Sequence, residues 1–244
     1  MPSRRAKKLE RVHLYCPRGL AYGRGVNAAL IPVRSIAGAK QRLAGWLDDA
    51  RREALALAML EDMIAALRAS TRLDRIVVVS SDAALLGHAR RCGAETLEEG
   101  PARGLNGAVR FAAAELERAG VTRLLTIPGD VPLLDPFEID ALFEVDGARY
   151  PVIAVPSSST TGTNALVTSP PTVIDFRFEG ESLAAYRTEC RTRAVELLIL
   201  ALEGFAIDID TPADLAGLPA RSGYRTCELV AEWNGLLAPA PLVE

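Results

Sequence analysis

Ile76-Val-Val-Val79 is a continuous β-branched run, and Arg123-Leu-Leu-Thr-Ile127 is a second apolar segment of strand length. Apolar runs without alternation suit strands buried on both faces of a parallel sheet. The residues between them read as helix. Leu57, Leu60, Ile64 and Leu67 recur at spacings of three, four and three, and Asp48 and Asp49 stand where a cap belongs. Outward from there, Ala28–Val33 is a first strand, followed by a loop from Arg34 to Leu47. Asp82 caps a helix ending near Cys92-Gly93, and Leu105–Ala119 is a helix stopped by Gly120. Pro136–Phe143 is a short helix and Ser182–Arg193 a longer one. Val152–Val155, Asn164–Val167, Glu196–Leu200 and Ile207–Ile209 are strands, and Thr211-Pro212 opens a last helix. Alternating strands and helices imply βαβ crossovers and a mostly parallel sheet covered on both faces, an α/β fold. The strands of 152–167 follow one another without a helix, which predicts an antiparallel edge and hence a mixed sheet. Nothing divides this body, so residues 28–244 form a single expected domain.

The 244 residues carry 28 Lys/Arg against 31 Asp/Glu, a net charge of −3. Residues 1–27 hold seven of those cations and one acid, a surplus of six that leaves the remainder nine charges negative. The basic, glycine-rich opening has no hydrophobic period and is expected to be a disordered extension. The acidic body argues against nucleic acid as a partner, since that binding needs a basic footprint. No apolar run approaches the ~20 residues that span a bilayer. Cys16, Cys92, Cys190 and Cys227 are scattered without metal spacing, which fits a reducing, cytoplasmic compartment. His13 and His88 are the only histidines, so chemistry that needs a histidine base has almost no candidates.

In open α/β sheets ligands bind beyond the C-terminal ends of the strands, and four constellations bear on that edge. Lys40 and Arg42 lie in the Gly/Ala loop after the first strand and can face phosphate, or can be surface charges. Asp130 follows Pro128-Gly129 at the end of a strand, where a carboxylate is a hard ligand for Mg²⁺ or a turn residue. Asp208 and Asp210 are two apart on a predicted strand and so point the same way, with Ile207 and Ile209 opposite. Two such carboxylates repel unless a cation joins them. Thr161-Gly162-Thr163-Asn164 offers donors and acceptors to a small polar ligand, or makes a hairpin turn.

Ala29-Leu-Ile-Pro-Val-Arg34, Ala39-Lys-Gln-Arg-Leu43, Gly104-Leu-Asn106, Pro128-Gly-Asp-Val-Pro-Leu-Leu134, Gly162-Thr-Asn-Ala-Leu166 and Asp208-Ile-Asp-Thr-Pro-Ala-Asp-Leu215 occur in this order. The series resembles the CofC/FbiD family of guanylyltransferases of coenzyme F-420 biosynthesis, over roughly residues 28–216. The resemblance implies a Rossmann-like, three-layer nucleotidyltransferase fold of the GT-A/MobA type. It implies transfer of GMP from GTP to the phosphate of 2-phospho-L-lactate, phosphoenolpyruvate or 3-phospho-D-glycerate, with release of pyrophosphate. By motif, Asp130, Asp208 and Asp210 correspond to metal-binding aspartates and Lys40 and Arg42 to nucleotide-phosphate contacts. Asn106 lies in the segment that approaches base or ribose, and Thr163 and Ser182 correspond to contacts with the phosphorylated acid. Where the family usually has Phe-Gly-Pro-Gly-Ser-Phe-x-x-His, this chain has Phe178-Glu-Gly-Glu-Ser-Leu-Ala-Ala-Tyr186. Glu179 and Glu181 are therefore expected to influence the choice of acceptor. The expected partners are GTP and a small phosphorylated acid, without nucleic acid or membrane, and the sequence leaves a homodimer open. Two other readings stay open: a nucleotidyltransferase with another phosphorylated acceptor, and a nucleotide-binding homologue without catalysis.

Overall fold

The computed structural model describes residues 25–36, 39–99, 104–159, 161–219 and 223–234. One sheet contains β1 (Val26–Pro32), β2 (Arg75–Ser80), β3 (Glu95–Glu98), β4 (Val121–Thr126), β5 (Val152–Pro156), β6 (Thr163–Thr168) and β7 (Leu197–Ile199). Their order is β3-β2-β1-β4-β6-β5-β7. β6 pairs antiparallel with β4 and with β5, and the other pairings are parallel. The sheet is mixed, as the close spacing of 152–167 predicts. The antiparallel strand sits in its interior, however, and not at an edge.

Ala28 to Ile31 of β1 are fully buried, as a central strand requires. Ala29, Ile31, Val78 and Leu125 point to one face, covered by α1 (Asp49–Ala69), α2 (Ala83–Arg91) and α4 (Pro136–Glu144). Ala28, Leu30, Val77 and Leu124 point to the other, covered by α3 (Gly104–Arg118) and α5 (Ser182–Thr192). Helices on both faces of one sheet make the three layers. Asp48, Asp82 and Asp135 each accept a backbone N–H at the start of α1, α2 and α4, satisfying orphan donors of the first turn.

α1 is buried on a second side as well. Leu55 and Met59 pack with Leu43, Leu47 and Ile209, and with Leu229, Val230 and Trp233 of α7 (Arg225–Asn234). Asp62 of α1 accepts from the backbone N–H of Arg225 (2.7 Å) and Thr226 (2.8 Å), which caps α7 from outside. α6 (Pro212–Ala216) starts where Thr211-Pro212 predicts, but it is not the last helix.

Two strand assignments change. Ile207–Ile209 pairs with no strand among the described residues; its apolar alternation is satisfied by the α1–α7 cluster instead of a sheet. β3 was not anticipated, because Glu-Thr-Leu-Glu is a short edge strand with charged ends and no apolar run. β1 also begins two residues before the expected boundary. The N–H of Asn27 donates to Asp74 (2.9 Å) and its side-chain amide to the Arg72 carbonyl (2.8 Å). The rest of the expected extension, residues 1–24, lies outside the described residues. No helix among the described residues is long and apolar enough to cross a membrane.

Candidate active site

β1 and β4 are neighbours, and their C-terminal ends emerge together, with the N–H of Ile127 donating to the Leu30 carbonyl at 3.0 Å. The chain after β4 passes so close to β1 that a Cβ on Gly129 would stand 2.8 Å from Val33 Cγ2 and 3.5 Å from the Pro32 carbonyl oxygen. A methyl group there would press on Val33, so glycine lets the chain cross close to β1 and deliver Asp130 directly over the strand ends. The carbonyl of Asp130 accepts from the N–H of Ile209 at 3.0 Å, which docks the 207–210 segment on it. Asp214 then takes the N–H groups of Asp210 (3.0 Å) and Thr211 (2.6 Å) in a capping box. Asp210 is thereby fixed beside Asp130.

Lys40 comes to the same point from the loop after β1, with a left-handed backbone (φ 51°, ψ 47°). Its ammonium lies 3.1 Å from Asp130 Oδ2 and 3.0 Å from Asp210 Oδ1, and its side chain is 10% exposed. Arg42 Nη1 reaches the other oxygen of Asp210 at 3.1 Å. That guanidinium is 75% exposed, so water screens the contact and it contributes little. The loop is tied down on both sides. Ser35 Oγ (2.9 Å) and the Ile36 N–H (3.1 Å) donate to Asp82. The buried guanidinium of Arg52 donates to the carbonyls of Ala39 (3.2 Å) and Leu47 (2.9 Å) and to Asp49 (2.6 Å).

Burial lowers the affinity of the Lys40 ammonium for its proton, but Asp130 and Asp210 outweigh burial and hold it above its ordinary value. Burial raises the Asp130 carboxyl; Lys40 opposes this, while Asp210 and Asp208 reinforce it. Asp130 and Asp210 share the Lys40 ammonium, and the solvated guanidinium of Arg42 reaches Asp210 alone. Asp208 does not touch Lys40. Its Oδ1 accepts from the Asn164 amide at 3.2 Å, and the same amide nitrogen donates to the Phe205 carbonyl at 2.9 Å. Asp130 and Asp210 bring hard oxygens from two segments to one position that a positive charge already holds, a pair suited to a divalent cation. The structure does not bring Asp208 into that pair, and the ligand oxygens of Asp130, Asp208 and Asp210 do not all come within 4.8 Å of one another.

A cleft of about 720 Å³ opens beside these groups and is bordered by Arg34, Ser35, Lys40, Arg42, Asp130 and Asp210. Thr163 begins β6 and Ser182 begins α5, and the Leu183 N–H donates to the Thr161 carbonyl at 3.2 Å, joining the two segments. The hydroxyls of Thr163 and Ser182 are buried without a hydrogen-bond partner among the described residues. The hydroxyls of Thr126 and Thr226 are buried in the same way, and neither Thr163 nor Ser182 borders the cleft. Asn106 spends its carbonyl oxygen on the Phe178 N–H (2.8 Å), tying α3 to the segment before α5. Glu179 meets Arg34 at 3.4 Å across the rim, both side chains being exposed. Glu181 borders a separate recess with Thr161, Leu183, Ala184 and Arg187. Tyr186 is fully buried; its hydroxyl accepts from the Arg177 N–H (3.0 Å) and its ring meets Phe178 edge-on. It is a core residue.

A second cluster, Glu61, His88 and Cys92, brings one ligand atom from each within 4.8 Å of the others. Arg91 Nη2 lies 3.3 Å from His88 Nδ1, and a guanidinium can only donate. Nδ1 is then the acceptor, and the proton sits on Nε2, 2.8 Å from Glu61. His88 Nε2 and Glu61 form a close polar contact between α2 and α1, but not a hydrogen bond among the described residues. Sequence reasoning overlooked Arg34, Arg52 and Asp214, which shape the site through contacts between distant segments. Only the Thr211-x-x-Asp214 spacing carried a readable signal.

The family model described as guanylyl transferase CofC-like matches residues 27–223. A phosphoenolpyruvate guanylyltransferase of Rubrobacter xylanophilus is 36% identical over 81% of this chain and 95% of its own. A 2-phospho-L-lactate guanylyltransferase of Methanothermobacter thermautotrophicus is 32% identical over 78% and 82%. A 3-phospho-D-glycerate guanylyltransferase of Phenylobacterium zucineum is 32% identical over 84% and 95%. Among solved structures, a putative nucleotide-diphospho-sugar transferase from Desulfovibrio desulfuricans superposes with a TM-score of 0.72 at 18% identity, over 87% of this chain and 97% of that one. That likeness supports the nucleotidyltransferase fold. With a family match that spans the whole sheet and all the site segments, the chain belongs to the CofC-like guanylyl transferase family.

Proposed function

We propose that the protein transfers GMP from GTP to the phosphate of a three-carbon phospho-acid, releasing pyrophosphate, in coenzyme F-420 biosynthesis. Phosphoenolpyruvate is the first acceptor to test, since relatives at 36% and 38% identity carry that name. The carrying observation is the convergence of Asp130 and Asp210 on one buried cation beside an open cleft. Asp130, Asp208 and Asp210 would hold a divalent cation, Mg²⁺ in the cell, which neutralises charge on the nucleotide phosphates. Lys40 and Arg42 face the triphosphate, with Asn106 beside the base or ribose. Thr163 and Ser182, by their correspondence to the family's acceptor contacts, orient the acceptor phosphate. One of its oxygens bonds to the α-phosphorus as the bond to the β-phosphate oxygen breaks. The attacking oxygen is already ionised at neutral pH, so no histidine base is needed, and positioning supplies most of the acceleration.

Pyrophosphate release measured over four nucleoside triphosphates and the three acids tests the reading. Turnover requiring GTP and one of those acids, lowered by orders of magnitude in Asp130→Asn and Asp208→Asn, is expected. Nucleotide binding without pyrophosphate release for any acid would overturn it.

A further inference from the structure

We infer that Lys40 is a resident counter-cation that a divalent metal must displace, so that metal and nucleotide bind with positive coupling. The inference rests on the metal reading above and adds an order of events to it. The Lys40 ammonium lies about equally far from Asp130 (3.1 Å) and Asp210 (3.0 Å), between the two carboxylates proposed as ligands. Two cations cannot share that position. A metal binding to the free protein therefore competes with a buried ammonium that already makes two charge-assisted hydrogen bonds. The displaced ammonium needs an anion, and a triphosphate in the adjoining cleft is one.

The loop is built for such a movement of the side chain alone. Asp82 holds it at Ser35 and Ile36, and Arg52 holds it at Ala39 and Leu47, so the backbone of Lys40 stays while Nζ moves. Arg42 holds the far oxygen of Asp210 but is solvated, and it competes weakly. A nucleotide that takes over the ammonium removes the competitor, and metal affinity rises. By linkage, metal raises nucleotide affinity by the same factor.

Mn²⁺ binding to the nucleotide-free protein, followed by the resonance of the unbound ion, tests this. Lys40→Met should bind Mn²⁺ roughly tenfold more tightly than the unaltered protein, within the usual range of coupling between sites. Lys40→Gln serves if circular dichroism shows that Lys40→Met does not fold. In the unaltered protein, the nitrogen-15 signal of the Lys40 ammonium should be protected from exchange without metal and lose that protection with saturating Mg²⁺. Asp210→Asn separates the two levels of the argument. If Asp210→Asn leaves Mn²⁺ binding unchanged, the metal reading fails and the counter-cation falls with it. If Asp210→Asn abolishes binding while neither Lys40 variant changes it by more than twofold and the ammonium signal ignores Mg²⁺, only the counter-cation idea is refuted.

Discussion

Asn164→Asp exchanges one nitrogen for an oxygen at almost constant volume, yet it reverses the polarity of a buried clamp. Asn164 is 6% exposed, and its amide nitrogen faces the Phe205 carbonyl at 2.9 Å and Asp208 Oδ1 at 3.2 Å. A carboxylate there would meet Asp208 at that distance, a repulsion of about 5 kcal/mol at an effective dielectric of ~20. Taking up a proton is cheaper. Holding a carboxyl of ordinary pKa near 3.9 protonated at pH 7 costs about 4 kcal/mol, and its O–H can then donate to Phe205. At pH 5 the cost falls to about 1.5 kcal/mol. The sign follows: the folded state raises the new carboxyl's pKa, so the variant suffers least in acid. Its deficit grows by about 1.4 kcal/mol per unit as pH rises above 4. Urea unfolding of both proteins at pH 5, 6 and 7 reads this directly. A deficit below ~1 kcal/mol at pH 7, or one equal at pH 5 and 7, would show that the amide nitrogen does not face these acceptors.

Gly129→Ala should cost about 1–3 kcal/mol through overpacking against Val33 and displace Asp130, so a melting curve and Mn²⁺ affinity should both change. Asp140 of α4 accepts from Ser70 Oγ (2.5 Å) and the Thr71 N–H (3.0 Å), and these bonds outweigh burial and lower its pKa. Asp140→Asn should then cost about 1–2 kcal/mol at pH 7. That stabilisation is present above the unfolded value near 3.9 and lost as pH falls through the folded one, so melting curves of the two proteins should converge in acid. Glu179→Gly should lower the KM of an anionic acceptor by freeing Arg34, while Glu181→Gly should leave it unchanged; equal effects would mean that the rim contact plays no part in acceptor binding.

The central strands and the caps were readable because their signals are local. β1, β2 and β4 are apolar runs, and Asp48 and Asp82 sit immediately before their helices, as does Asp135, which the sequence reading did not single out. Asp130 lies at the C-terminal end of β4, where the sequence puts it, because the chain leaves that strand only a few residues before it. Asp208 and Asp210 reach the site by another route than the predicted strand. Ile209 is anchored in the cluster under α1 and by the Asp130 carbonyl, contacts between segments about 150 and about 80 residues apart. α7 was overlooked although Cys227, Val230 and Trp233 keep a three-residue spacing, because ten residues give a short stripe whose partner, α1, appeared complete on its sheet side. Glu179 and Glu181 could not be told apart in sequence. Their opposite surroundings follow from the turn into α5 and from Arg34, which arrives from the other end of the chain.

Because β6 runs against the rest of the sheet, it presents its beginning at the edge where β1 and β4 present their ends. Residues on that rim thus come from two kinds of connection. Lys40 and Asp130 follow strands, and Thr163 begins one. The stretch from the end of β5 to Tyr186 is a single excursion that leaves the rim along β6 and comes back to it at the start of α5. Among the described residues its ties to the other half at the rim are few, chiefly Asn106 to Phe178, Asn164 to the 205–208 segment and Arg34 to Glu179. Evolution could retune such an excursion as a cassette, exchanging the acceptor half while the half built on β1 and β4 stays intact.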